Sequence, residues 1–137
     1  MKDELKYSFS KLNDAVNKLD EGIKQAKDQL DYDGVIQRFE FTFELLWKTL
    51  KLFLANEGII TRSPKESLKE SFRFGLIEDE NLFLDMLEDR NQTTHIYSED
   101  ISKKIFERVT KNYFNAIKML QRKLIERIDE NPNFEQK

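Results

Sequence analysis

Arg90, His95 and Tyr97 fall in a single eight-residue run inside the stretch LEDRNQTTHIYSED, Leu87 to Asp100, and His95 is the only histidine of the chain. Arginine stays charged and matches phosphate oxygens with paired hydrogen bonds. Histidine titrates near neutrality and can serve as acid or base. Together they suit cleavage of RNA without a metal, in which a base takes the 2′-OH proton, an acid protonates the leaving oxygen and a cation holds the phosphate. One histidine leaves such a centre a proton-transfer group short. A two-fold dimer with this stretch at its symmetric interface would supply Arg90 and His95 twice.

Residue types alone leave a plainer reading open. A histidine at a helix end can be a surface or capping residue, Arg90 can pair with Glu88 or an aspartate, and Tyr97 can be packing. Geometry adds a condition. On an uninterrupted α-helix, residues five apart differ by about 140° around the axis and by about 7.5 Å along it. Arg90 and His95 share a pocket only if the helix ends between them. The β-branched Thr93 and Thr94 lower helix propensity at that place.

The elements that must position this stretch are helical. Leu5, Phe9, Leu12, Val16, Leu19 and Ile23 recur at steps of four and three, the spacing of an amphipathic helix. DQLDYDG then offers Asp31, Asp33 and Gly34 for a turn or helix start. In VIQRFEFTFELLWKTLKLFLANEG the alternation of FEFTF invites a strand reading. Ile36, Phe39, Phe43, Leu46, Trp47, Leu50 and Leu54 instead form a long helical stripe, with Phe41, Leu45 and Leu52 on another side. A helix apolar on more than one side is buried on more than one, so one face is expected in the bundle and the other against a second subunit. Gly58 is the expected terminator. SPKE, Ser63 to Glu66, is a capping box with proline at the first helical position. It opens a short helix with Leu68 and Phe72 inward, ending at Gly75. A fourth helix runs from about Asp79 and frays near Thr93. Ser98 caps a last one, with Glu99 and Asp100 at its positive end and Ile101, Ile105, Val109, Ala116, Ile117, Leu120, Leu124 and Ile128 along it.

The expected architecture is all-α: an antiparallel bundle of about five helices, homodimeric, in a single domain over 1–137 with a loose tail from about 130. The chain has 137 residues, four glycines and two prolines, too few breakers for a turn-rich β fold. It has no cysteine, which excludes disulfides, thiolate zinc sites and cysteine nucleophiles. With a single histidine as well, no metal site is expected, and no cofactor. There is no glycine-rich phosphate loop, so any nucleotidyl-transfer chemistry would belong to a partner. The net charge of -3 restricts nucleic-acid contact to a local patch. Candidates for that patch are Lys103, Lys104, Arg108 and Lys111, or Arg38, Arg62 and Arg73, although a solvated helix face accounts better for the first group. Asp85 and Asp89, one turn apart, read as an ordinary exposed pair. MKDELKYSFSK lacks an apolar signal core and no run is long enough to span a membrane; a cytoplasmic protein is expected.

Three blocks carry a resemblance: QRFEFTFELLWKTLK at Gln37 to Lys51, SPKESLKESFRFGLI at Ser63 to Ile77, and LDMLEDRNQTTHIY at Leu84 to Tyr97. In order and spacing they resemble HEPN-fold proteins, specifically the group named nucleotidyltransferase substrate-binding proteins, over nearly the whole chain. The resemblance implies a helical-bundle dimer whose Arg-x4-6-His motif lies in the interface cleft and forms a metal-independent ribonuclease centre. Arg90 and His95 would be catalytic, with Asn91 as the polar residue that follows the arginine. It further implies an RNase toxin, with tRNA the expected target, encoded beside a minimal nucleotidyltransferase that silences it by transferring AMP to Tyr97. RNQTTHIY matches the extended Arg-x4-His-x-Tyr motif residue by residue. The older family name implies instead a non-catalytic substrate-binding or regulatory subunit of the nucleotidyltransferase. A helical dimer that binds a nucleotide without cutting is the third possibility.

Overall fold

A computed structural model describes residues 2–93 and 98–130 of the chain. The expectations for Thr94, His95 and Tyr97, and for the tail beyond 130, fall outside the described residues. Helix α1 covers Lys2–Gln25 and buries Leu5, Leu12, Val16 and Leu19 completely. Its neighbour α2, Gln29–Asn56, is antiparallel to it. Ser8 and Thr49 share a hydroxyl hydrogen bond of 2.6 Å, the Thr42 hydroxyl lies 3.4 Å from the Ala15 carbonyl oxygen, and Arg38 Nη1 donates to that of Lys18 at 2.5 Å. Partner numbers rise on one helix as they fall on the other.

Helix α2 begins earlier than the sequence suggests, and Asp31, Asp33 and Gly34 all lie within it. Asp28 is the reason. Its side chain accepts the Asp31 N–H at 3.0 Å, while Asp31 Oδ2 accepts the Lys27 N–H at 2.9 Å. This local pairing satisfies donors that a helix start leaves orphaned and outweighs the glycine.

As the central rod, α2 touches α1, α3, α4 and α5 and buries Phe39, Phe43, Leu46 and Leu50 outright. FEFTF is helical throughout. The second apolar side is mostly covered within the same chain: Leu45 and Leu52 are half-buried against the core. Phe41 alone of the three is open, at 60 % exposure. At the far end Gly58, with φ 88°, closes the helix as its N–H reaches the Ala55 carbonyl and that of Ile59 reaches Leu54.

Helix α3, Pro64–Phe74, is capped as expected: Ser63 Oγ accepts the Glu66 N–H at 3.1 Å. The Glu66 carboxylate turns to the Arg62 N–H rather than to that of Ser63. Leu68 is buried, but Phe72 is exposed, contrary to expectation. The inward step runs from Ser67 to Ser71, whose small side chains let α3 approach, and Phe72 lies a further 100° or so around the helix. Phe74 takes the aromatic role, edge-on to Phe53 at 5.6 Å.

Helix α4 spans Glu80–Gln92 and its C-cap is Thr93, as the β-branched pair implied. Helix α5, Glu99–Arg108, passes through a π-helical turn, Val109–Tyr113, into α6, Phe114–Glu130. The last helix is therefore one continuous run with an insertion, and the described residues form five rods. Among the described residues, no helix is long and apolar enough to cross a membrane.

Candidate functional site

Phe83, Met86 and Asp89 form the buried stripe of α4. Their spacing carries Arg90 to the edge of that stripe, on the helix's last turn. The Arg90 side chain is 32 % exposed and its Nη2 lies 2.5 Å from Glu44 Oε1 on α2. Its Nη1 also donates to Asn91 Oδ1 at 3.3 Å. The partner is thus neither Glu88 nor an aspartate on the same helix but a carboxylate distant in sequence.

Glu44 serves two cations. Its second oxygen lies 3.4 Å from Lys48 Nζ, one turn further along α2. One turn the other way, the Glu40 carboxylate meets the Thr93 hydroxyl. That hydroxyl, with a single proton to give, also lies 2.7 Å from the Arg90 carbonyl oxygen. Residues four apart on one helix and three apart on the other share faces, so Glu40 and Glu44 form a two-rung ladder against Thr93 and Arg90. It fixes the last turn of α4, from which the chain runs on to His95 and Tyr97.

A cleft of about 470 Å³ adjoins this ladder between α2 and the start of α5. Thr93 and Ser98, the described residues on either side of 94–97, both line it. Ile36, Ile101 and Ile105 give it apolar surface, and Asp33, Glu40 and Glu99 line it with carboxylates. Gln29, Asp33 and Ser102 brace one wall by mutual hydrogen bonds of 2.8 to 3.1 Å. Its described lining contains no lysine or arginine, so phosphate is better received at Arg90 and Lys48 than in the cleft.

Other expectations are redistributed. Asp85 is exposed, but Asp89 is buried at 6 % exposure. Arg108 is partly exposed but not a free cation: it forks onto Asp89, Nε to Oδ2 at 2.7 Å and Nη2 to Oδ1 at 2.8 Å. Lys103, Lys104 and Lys111 remain exposed, as does Arg62. Arg38 is tied to Lys18, and Arg73 pairs with Glu70 at 2.5 Å. The sequence reading missed Glu40, Glu44 and Lys48. Their signal was present in QRFEFTFELLWKTLK, where the three recur at steps of four on the less apolar side of α2.

The family described as "Nucleotidyltransferase substrate binding protein like" matches residues 3–126. The chain belongs to that family. This nucleotidyltransferase substrate-binding protein-like chain is 28% identical to "Probable ribonuclease HepT" of Haemophilus influenzae, over 76% of this chain and 83% of that protein. A crystal structure from Thermus thermophilus superposes with a TM-score of 0.77 at 32% identity, covering 82% of this chain and 98% of that one. A Haemophilus influenzae structure, titled as revealing the fold of a substrate binding domain of a nucleotidyltransferase, shares the fold. Its TM-score is 0.60 at 23% identity, with 91% and 99% of the two chains covered.

Proposed function

We propose that this chain is a metal-independent endoribonuclease of the HEPN type, active in the cytoplasm as a homodimer, with tRNA the expected substrate. One observation carries the reading: Arg90 is held at the end of α4, part-buried and oriented by Glu44, directly ahead of the segment that contains His95 and Tyr97. Arg90, supported by Asn91 beside it, binds the scissile phosphate and stabilises its developing charge. One His95 takes the 2′-OH proton, the freed oxygen attacks the phosphorus, and His95 of the second protomer protonates the departing 5′-oxygen. The name of the Haemophilus influenzae relative supports the same assignment.

In this reading a minimal nucleotidyltransferase is the antitoxin. The Tyr97 phenolic oxygen, its proton released to solvent, attacks the α-phosphorus of ATP, pyrophosphate leaves, and Tyr97 carries AMP. The added phosphodiester charge repels RNA and competes for Arg90. The deciding experiment incubates tRNA with the purified, unmodified protein and with a His95→Ala variant. Cutting by the first alone supports the assignment, and equal cutting by both rejects it. Intact mass after co-expression with the nucleotidyltransferase, for the native chain and for Tyr97→Phe, reads the modification directly.

The family description and the acidic net charge favour a second reading, a non-catalytic subunit that presents substrate to a nucleotidyltransferase. A dimer inert towards RNA that binds that enzyme stoichiometrically would replace the first reading with this one.

A further inference from the structure

We propose that Asp89 is a positioning residue for Arg90, held in place by Arg108 and Tyr113 through the π-helical turn that separates α5 from α6. Asp89 and Arg90 are adjacent on one helix, so their directions differ by a fixed angle of about 100°. Fixing the inward carboxylate fixes the rotation of the last turn of α4 and, with it, where the guanidinium leaves the helix. The backbone makes the same link. Thr93 closes the helix with its N–H on the Asp89 carbonyl oxygen at 3.1 Å.

The grip on Asp89 is stronger than packing needs. Besides the two-bond fork from Arg108, the Tyr113 hydroxyl donates to Asp89 Oδ2 at 2.5 Å. Both carboxylate oxygens are therefore engaged, by donors from residues five apart in sequence. On a regular α-helix those two side chains would diverge by about 140°. The π turn narrows the divergence. The Phe114 N–H reaches back to the Val109 carbonyl, and this wider turn swings residue i+5 back toward the face of residue i. Arg108 and Tyr113 then meet one carboxylate. A π turn interrupts regular helix hydrogen bonding, and such turns concentrate at functional sites. Here the three-residue brace accounts for it.

Tyr113 allows a test that spares the fold. Its ring is buried and stacks on Phe39 at 5.6 Å, and phenylalanine keeps that packing. In Tyr113→Phe the Arg108 fork remains, so Asp89 stays paired. Two readouts are taken, together with the melting temperature. The first is amide hydrogen exchange. Protection at Thr93 should fall about tenfold, while Leu46 and Leu50 in the core keep theirs. The second rests on the nuclease reading. The kcat for RNA cleavage should fall about tenfold with KM within about twofold, because displacement of a catalytic group by a fraction of an ångström is costly. The same substitution placed on Arg90→Ala should cause no further loss in residual cutting, since the two act through one group.

Unchanged exchange at Thr93, or a uniform loss of protection across the core, overturns the proposal. So does additive loss in the double variant. A native chain that never cuts RNA overturns the nuclease reading alone, and the exchange comparison then decides the role of Asp89.

Discussion

The Glu44 carboxylate reaches across from α2 to Arg90 on α4, oxygen to nitrogen 2.5 Å, with each side chain 32 % exposed. The guanidinium that the proposed nuclease reading assigns to the scissile phosphate is therefore already paired inside the chain. Glu44 also meets Lys48, so two cations share one carboxylate.

Competition at Arg90 has a measurable size. Part-exposed pairs of this kind contribute about 0.2–1 kcal/mol. In a His95→Ala background, which removes cutting, Glu44→Gln should tighten the Kd for a short RNA by about two- to fivefold. The gain should shrink as salt is raised. Weaker binding in Glu44→Gln, measured by fluorescence anisotropy, would show that the carboxylate orients Arg90 for RNA more than it competes with it.

The two aspartates of α4 should behave very differently. Asp85 is exposed, and Asp85→Ala should change stability by less than about 0.5 kcal/mol. Asp89→Ala leaves Arg108 without its partner and the Tyr113 hydroxyl buried with nothing to bond. A loss of about 3 kcal/mol follows, at the lower end for a broken buried pair because Arg108 is partly solvated. Thermal denaturation should show a drop of about 10 °C for Asp89→Ala and almost none for Asp85→Ala.

Alkaline titration reports on the same cluster. Burial, and then the hydrogen bond to Asp89, push the Tyr113 phenol well above its ordinary value near 10, so the folded state favours the protonated form. For a raised value, the stabilisation is complete below the ordinary pKa and is lost as pH climbs towards the folded one. Native protein and Tyr113→Phe should therefore share the early phase of phenolate absorbance. The native excess should appear only well above pH 10, late in the titration. A native excess already present near pH 10 would contradict this.

Phe41 is a large apolar residue in the middle of α2 left in the open, at 60 % exposure, as Leu30 is at the start of the helix. If a second protomer covers it, Phe41→Glu should convert the dimer to monomer in light scattering and abolish RNA cutting together. A Phe41→Glu dimer of native mass that still cuts RNA would place the interface elsewhere.

The cap at Ser63 is a local test of the fold. Its hydroxyl accepts the Glu66 N–H, and Ser63→Ala should cost about 1 kcal/mol, seen as a melting point lower by about 3 °C.

Sequence by itself determined the helices, because periodicity and capping are local. The stripe of α1, the stripe from Ile36 to Leu54, the SPKE start, Gly58, Gly75 and the stop at Thr93 are all written within a few residues of where they act. The π turn left a trace too: Ile101, Ile105, Val109, Tyr113 and Ile117 advance by fours without a three. Each such step drifts about 40° on an α-helix, and a wider turn absorbs the drift. Tertiary structure alone decided which charges meet. Asp85 and Asp89 have the same side chain one turn apart, yet one is solvated and one buried, and Arg108 reads no differently from Lys104 until α5 is laid against α4. Ion pairs such as Glu44 with Arg90 join residues 46 apart in sequence. No local pattern encodes that pairing, because it is set by how whole helices pack.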